Sequence, residues 1–202
     1  MTRAFRALPL ILFFSCSAPD VTAPLEDDHV RGPADAKVTL IEYGDYQCPP
    51  CSNTAVAIER LLKEHPRDLR FVYRHFPTRR HRNAVPAAKA AEAAERQGKF
   101  WEMHAKLFAN QQQWYGASTP QEVFVQYARE LQLDESQFRE ALKSSDFERR
   151  IRDSKDSGQS SGVRGAPAFF LNGDRIMRTP LTYEDLQRHV VGALAQPRGE
   201  KR

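Results

Sequence analysis

Lys37-Val38-Thr39-Leu40-Ile41-Glu42-Tyr43-Gly44-Asp45-Tyr46-Gln47-Cys48-Pro49-Pro50-Cys51 is the stretch on which the reading of the whole chain turns. Its first seven residues alternate and are β-branched enough to form a strand. From Cys51 onward Ala55, Val56, Ile58, Leu61 and Leu62 recur at helical spacing until Pro66 stops the pattern. Proline suits the first turn of a helix, so Cys48 to Cys51 is predicted to sit at a helix amino terminus, at the carboxyl end of a strand. Leu69-Arg70-Phe71-Val72-Tyr73-Arg74-His75-Phe76, closed by Pro77, reads as a second strand. The resulting β-α-β unit suits a parallel pair.

Residues 84 to 157 change character to Ala-, Gln- and Glu-rich helical text. Ala87-Ala88, Ala90-Ala91 and Ala93-Ala94 mark one helix, and Phe100, Trp101, His104, Leu107 and Phe108 the next. Thr119-Pro120-Gln121-Glu122 reads as a capping box with proline at the first helical position. A further helix is expected after Asp134. No period recurs, so the block is a helical insertion and not a repeat array. After Ser157-Gly158-Gln159-Ser160-Ser161-Gly162, read as a loop, strand text returns in Ala168-Phe169-Phe170-Leu171. It turns at Asn172-Gly173, a strong hairpin signal, into Arg175-Ile176-Met177-Arg178. Thr182-Tyr183-Glu184-Asp185 opens a last helix carrying Leu186, Val190, Val191 and Leu194.

At the amino end Arg3 and Arg6 precede the apolar run Ala7 to Phe14 and then Ser15-Cys16-Ser17-Ala18, the order of a secretory signal. Phe13-Phe14-Ser15-Cys16 resembles a loose lipobox. Acylation of Cys16, with Ser17 to Gly32 as a tether, and ordinary cleavage near Ala18 or Ala23 stand as equal alternatives. The apolar run is far short of the roughly 20 residues of a membrane-spanning helix. With 41% hydrophobic and 28% charged residues among 202, the chain has the balance of a folded soluble domain, not of a disordered tail. Loss of residues 1–15 lowers Lys+Arg from 30 to 28 against 26 Asp+Glu, so the mature chain is nearly neutral. Arg74-His75, Arg79-Arg80-His81-Arg82 and Arg149-Arg150-Ile151-Arg152 lack aromatic interleaving or a nucleic-acid motif and read as solvated surface, which argues against nucleic-acid binding.

Export implies an oxidising compartment, where a stapled framework shows a larger, even number of cysteines. Only Cys48 and Cys51 fall in the folded part, and two cysteines so close together staple little. Disulfide exchange needs a thiolate, and the positive end of a helix favours one. Cys48 at the cap is therefore the expected nucleophile, with its sulfur exposed, and Cys51, one turn inside and buried, the resolving thiol. Pro49 and Pro50 contribute no N–H toward the sulfur, and no histidine stands between the cysteines, so the pair is expected to be less oxidising than with His at position 50. A zinc half-site completed by His75 and His81 is the competing reading, and it loses two of the N–H groups that usually support knuckle thiolates. No metal site is expected.

Taken together, Glu42 through Cys51, the segment Ala87 through Gly98-Lys99-Phe100-Trp101, and Gly162-Val163-Arg164-Gly165-Ala166-Pro167-Ala168-Phe169-Phe170-Leu171-Asn172-Gly173 resemble the DsbA-type branch of the thioredoxin superfamily, especially bacterial members with a helical insertion. The resemblance covers about Lys37 to Leu194. It implies an α/β thioredoxin-like core formed by 33–78 and 158–195, with 79–157 as the all-helical insertion, 1–15 as signal, 16–32 as linker and 196–202 as tail. It implies a thiol–disulfide oxidoreductase whose only redox group is the Cys48–Cys51 disulfide, with no other cofactor. Pro167 is the implied cis-proline facing the cysteines, and the backbone of Ala166 the implied partner of the substrate polypeptide. Pro49, Pro50 and Gly165 are the further expected substrate contacts. Glu42 corresponds to a buried acid behind the second cysteine that exchanges the Cys51 proton; an outward-facing strand carboxylate is the alternative. The expected activity is oxidation of exported protein thiols by a monomer served by a membrane or soluble redox partner, with disulfide reduction or isomerisation second. A lipid-anchored binding module with a purely structural disulfide is the reading from a different class.

Neither His75 nor His104 has a carboxylate or cysteine at a telling spacing, so both are expected to pack, as is Trp101 with Phe108. Met103, Met177, Phe169 and Phe170 are expected in the core or groove lining.

Overall fold

The computed structural model describes residues 21–177 and 181–196. The expected signal 1–15, Cys16, Arg178 and the tail beyond Gln196 lie outside the described residues. One five-stranded sheet organises the rest, in the order β1-β3-β2-β4-β5. β2 (Val38–Gly44) and β3 (Leu69–His75) are parallel and joined by α1 (Pro49–Glu64). β4 (Ala168–Leu171) runs antiparallel to β2, and β5 (Asp174–Ile176) antiparallel to β4. Asn172 and Gly173 between them have φ of 50° and 93°, the left-handed pair that a two-residue hairpin requires.

β1 (His29–Arg31) pairs antiparallel with β3 at the outer edge, inside the stretch expected as a linker. Three residues are too few to show a period, which is why the sequence did not announce it. The segment before it is tied down by Arg74, expected on a solvated basic face but buried. Its guanidinium donates to Asp28 at 2.7 and 2.9 Å and to the Ala23 carbonyl at 3.3 Å.

Side chains alternate across β2, and both of its faces are covered. Leu40 packs with Phe71, Tyr73 and Phe169, under Ile58 and Leu61 of α1 and Leu186 and Val190 of α8 (Tyr183–Ala195). Ile41 and Tyr43 meet Val72, Phe76, Val163 and Phe170 on the opposite face. Glu42 shares the Leu40 side by alternation, so the strand carries a carboxylate into the interior.

The helical block comprises α2 (Ala84–Glu95), α3 (Phe100–Ala109), α4 (Gln111–Trp114), α5 (Gln121–Glu130), α6 (Glu135–Ala141) and α7 (Ser145–Ser160). Ala87, Ala90, Ala91 and Ala94 are fully buried, and side chains this small let neighbouring helices close on α2. The capping box expected at Thr119 does not form: α5 begins one residue later, with Pro120 and not Thr119 as its N-cap, and the Glu122 carboxylate is engaged by Arg139 at 2.8 Å through both oxygens. A reciprocal cap occurs at α8 instead, between Thr182 and Asp185. The Ser157-Gly158 stretch read as loop is the last turn of α7. There a Cβ on Gly158 would stand 2.8 Å from the Tyr43 ring, so the glycine serves close packing and not a break. Met177, expected inside, is 80% exposed, while Met103, Phe169 and Phe170 are buried. Trp101 is only partly buried, against a core that includes Phe108.

Candidate active site

Strands β2 and β3 run parallel, so the loops that follow them leave the same edge of the sheet and face each other, where open α/β sheets form their crevices. Asp45 joins the two loops. Its buried carboxylate accepts from the Gln47 N–H and the Thr78 N–H at 2.8 Å, from the Thr78 hydroxyl at 3.0 Å, and bonds His81 Nδ1 at 2.7 Å. Gln111 of α4 braces the turn from the helical block, donating to the carbonyls of Tyr46 at 2.7 Å and Cys48 at 3.1 Å. The turn that presents Cys48 is thus held from the β3 loop and from the helical block at once.

Cys48 is the N-cap of α1, with Pro49 and Pro50 in the first turn. Its carbonyl accepts from the N–H groups of Cys51 at 3.1 Å and Ser52 at 3.3 Å. Both cysteines are free thiols. Cys51 is fully buried, and Cys48, expected to be exposed, is only 5% accessible, because the 165–167 loop lies over its sulfur. The Cys48 thiol donates to the Ala166 carbonyl at 3.3 Å. Its pKa lies below the ordinary thiol value, chiefly because the Cys51 thiol hydrogen-bonds the thiolate, with help from the Cys51 backbone N–H and from Arg80, and against burial and Asp45. Cys51 goes the other way, pushed up by burial first, then by its bond to Cys48 and the Glu42 charge. The two sulfurs thus share one proton unequally, which leaves the negative charge on Cys48, the one that lines the groove.

Glu42 lies behind them, 1% exposed, level with Tyr73 on one neighbouring strand and Phe169 on the other. Its Oε1 has no hydrogen-bond partner among the described residues. Burial pushes its pKa up to about 8, the Cys48 charge adds to this, and the Thr54 hydroxyl partly offsets it.

The Ala166-Pro167 peptide is cis. Gly165 and Ala166 line an open groove of about 590 Å³ together with Cys48, Pro49 and Pro50. Arg79, Arg80, Lys155 and Arg164 stand around it, and no carboxylate lines it among the described residues. Of this rim, Arg79 and Arg80 are the residues expected from sequence as plain solvated surface. The parallel pairing of β2 and β3 was the signal that could have placed Arg79 and Arg80 beside the cysteines. Asp45 and Gln111 were missed as well, since a brace across 33 or 63 residues has no local pattern.

His75 and His81 do not complete a metal set with the cysteines. His81 belongs to Asp45, and His75, expected to lack a carboxylate partner, bonds Glu92 Oε1 at 2.8 Å through Nε2. His29 Nε2 meets the same oxygen at 2.7 Å. His104 packs as expected, with Nδ1 bonded to the Tyr46 hydroxyl at 3.0 Å.

The family model described as Thioredoxin matches residues 25–191. A thioredoxin-like oxidoreductase from Silicibacter pomeroyi superposes with a TM-score of 0.69 at 28% identity, covering 88% of this chain and 95% of that one. Oxidised BdbD from Bacillus subtilis gives 0.72 at 22% identity over 84% and 94%, and alpha-DsbA1 from Wolbachia pipientis 0.74 at 17% over 85% and 92%; these two share the fold. Curated relatives include a protein named Na(+)/H(+) antiporter NhaA 3 from Salinispora tropica, 41% identical over 182 residues, 89% of this chain but 27% of that protein. A second, NhaA 1 of Salinispora arenicola, is 43% identical over 159 residues, 77% of this chain and 24% of its own length. The chain thus spans about a quarter of the curated relatives it matches. No helix among the described residues is long and apolar enough to cross a membrane.

Proposed function

The chain belongs to the thioredoxin family of thiol–disulfide oxidoreductases, and from that premise we propose that it oxidises the thiols of exported proteins through the Cys48–Cys51 pair. A substrate thiolate attacks Cys48 of the disulfide; the bond to Cys51 breaks, and Cys51 leaves with the electron pair. Glu42 donates the proton that neutralises it. A second substrate thiolate attacks the substrate sulfur of the mixed disulfide, and Cys48 departs as a thiolate. Two electrons pass to the enzyme, which a membrane or soluble redox partner then removes. The opposed shifts of the two thiols carry this reading. A stabilised Cys48 thiolate favours the dithiol form, and stabilising the reduced form makes the disulfide an oxidant. It also distinguishes the pair from a structural disulfide in a binding module, for which no thiol need be acidic.

Ala166, Gly165, Pro49 and Pro50 are assigned to the substrate backbone; the Ala166 carbonyl accepts from the Cys48 thiol in the reduced form, and in the disulfide form, where Cys48 carries no proton, it is left to pair with that backbone. Export by residues 1–15 and lipid attachment at Cys16 extend the proposal, and the mass of the mature amino-terminal peptide tests both. Antiporter activity is not carried over, because the shared segment is a minor part of those proteins. The test of function is oxidative refolding of a reduced, disulfide-dependent protein by the oxidised enzyme. Cys48→Ser is expected to abolish it and Cys51→Ser to accumulate a mixed disulfide on Cys48; refolding that persists in Cys48→Ser overturns the mechanism.

A further inference from the structure

Away from the cysteines, the outer strand, the neighbouring strand and the helical block each send one metal-ligating side chain to the same point. His29 comes from β1, His75 from the end of β3 and Glu92 from α2. Both imidazole Nε2 atoms lie on Glu92 Oε1, at 2.7 and 2.8 Å, and one ligand atom from each of the three residues lies within 4.8 Å of the others. We propose that His29, His75 and Glu92 form a binding site for a divalent transition metal of the zinc class, a function separate from the thiol chemistry.

Four observations support the assignment. The first is donor chemistry: two imidazoles and one carboxylate suit zinc and its first-row neighbours, whereas calcium and magnesium take all-oxygen shells. The second is spacing. A tetrahedral ion with bonds of about 2.1 Å sets its ligand atoms roughly 3.4 Å apart, so the observed hub needs to open by less than an ångström along the two imidazole–carboxylate edges.

The third is fixed orientation. The His29 ring stacks on Phe100 at 3.4 Å and 9°, and the His75 ring meets Tyr73 edge-on at 5.5 Å and 88°. Arg150 Nη1 stands 3.2 Å from Glu92 Oε2, in ion-pair range but off the line of a hydrogen bond, leaving Oε1 to the histidines. Metal ligands are commonly oriented by such outer partners.

The fourth is access. A cavity of about 510 Å³ reaches all three residues, and its wall holds six carboxylates against three arginines, the reverse of the groove at Cys48. Three protein ligands leave a zinc-class ion one position for a ligand arriving through that cavity. Coordination uses the Nε2 lone pair, so in each ring the proton that now bonds Oε1 moves to Nδ1. For His75 the free Nδ1, buried and without a hydrogen-bond partner among the described residues, can take it.

The test uses the full chain with Cys48–Cys51 closed as a disulfide and Cys16→Ser in place, so that no thiolate competes, stripped with a chelator and titrated with Zn²⁺. One equivalent is expected to bind and to move the imidazole ¹⁵N resonances of His29 and His75, leaving those of His65, His81 and His189 in place. His75→Ala and Glu92→Gln are expected to weaken binding more than about tenfold. Because either variant can lose its fold, the resonance measurement on the unaltered chain stands by itself. No stoichiometric binding there, or perturbation confined to the other histidines, overturns the proposal, as does unchanged affinity in a folded His75→Ala variant.

Discussion

Glu42 and Glu92 are both about 1% exposed, and their carboxyl groups behave in opposite ways. No cation among the described residues offsets the burial of Glu42, so burial and the nearby Cys48 charge raise its pKa to about 8. Glu92 is just as buried, yet the two histidines that bond it pull its carboxyl well below the usual range despite that burial. Arg150 stands on its other oxygen. Depth therefore does not decide the state of an interior acid; its partners do. One carboxylate is left poised to give and take a proton near neutral pH, and the other is held as a permanent anion at a junction of three elements.

The sharpest way to break this contrast is to remove Glu92. Glu92→Ala leaves two imidazoles and Arg150 converging on nothing, and denaturant unfolding is expected to show a loss of about 3 to 5 kcal/mol. A loss below 1 kcal/mol would mean that the hub is not ionic. Glu42→Gln is expected to act with the opposite sign. In the folded protein Glu42 stays protonated up to about pH 8, while in the unfolded chain it ionises above about 4.5. The unfolded state then binds fewer protons across that window, so wild-type stability falls as pH rises from 4.5 to 8, by at most about 1.4 kcal/mol per pH unit. The glutamine variant should lack this slope and exceed the wild type at pH 8, measured on the reduced protein, the form in which the Cys48 charge adds to the burial of Glu42. The same substitution should slow thiol exchange on the order of a hundredfold. Equal slopes in the two proteins contradict a raised Glu42.

A smaller effect sharpens the same point at sulfur. Pro50→His supplies Cys48 with a donor and a cation, as Arg150 and the histidines do for Glu92. The thiol pKa is expected to fall by about one unit and the disulfide to become more oxidising. Unchanged values would show that the first turn of α1 does not control the thiolate.

Local pattern made the strand, the turn and the helix around the cysteines legible, along with the hairpin at Asn172-Gly173 and the start of α6 after Asp134. Each of these is written within a few residues of itself. The β1 strand was not legible, because three residues carry no period and its place depends on Arg74 reaching back to Asp28. Gly158 misled for a related reason: a glycine that admits the Tyr43 ring looks, in one dimension, like a glycine that ends a helix. At the site, Glu42, Cys48, Cys51 and Pro167 could be named from sequence and resemblance, since they lie on consecutive or family-marked stretches. The Asp45–His81 brace and the His29–Glu92–His75 hub join residues 17 to 63 positions apart, the basic rim sets Arg79 and Arg80 beside Lys155 and Arg164, and only the crossing of strands and helices brings them together.

Unequal sharing of a proton between two adjacent sulfurs underlies the reactivity of Cys48. The rate of alkylation of the reduced protein by iodoacetamide, followed against pH with the modified cysteine identified by mass, measures that sharing directly. Of the pair, Cys48 is expected to react alone, with a midpoint below that of an ordinary free cysteine, about 8.5, while Cys51 stays unmodified throughout. Equal modification of both, or a Cys48 midpoint at or above the free-cysteine value, would contradict it.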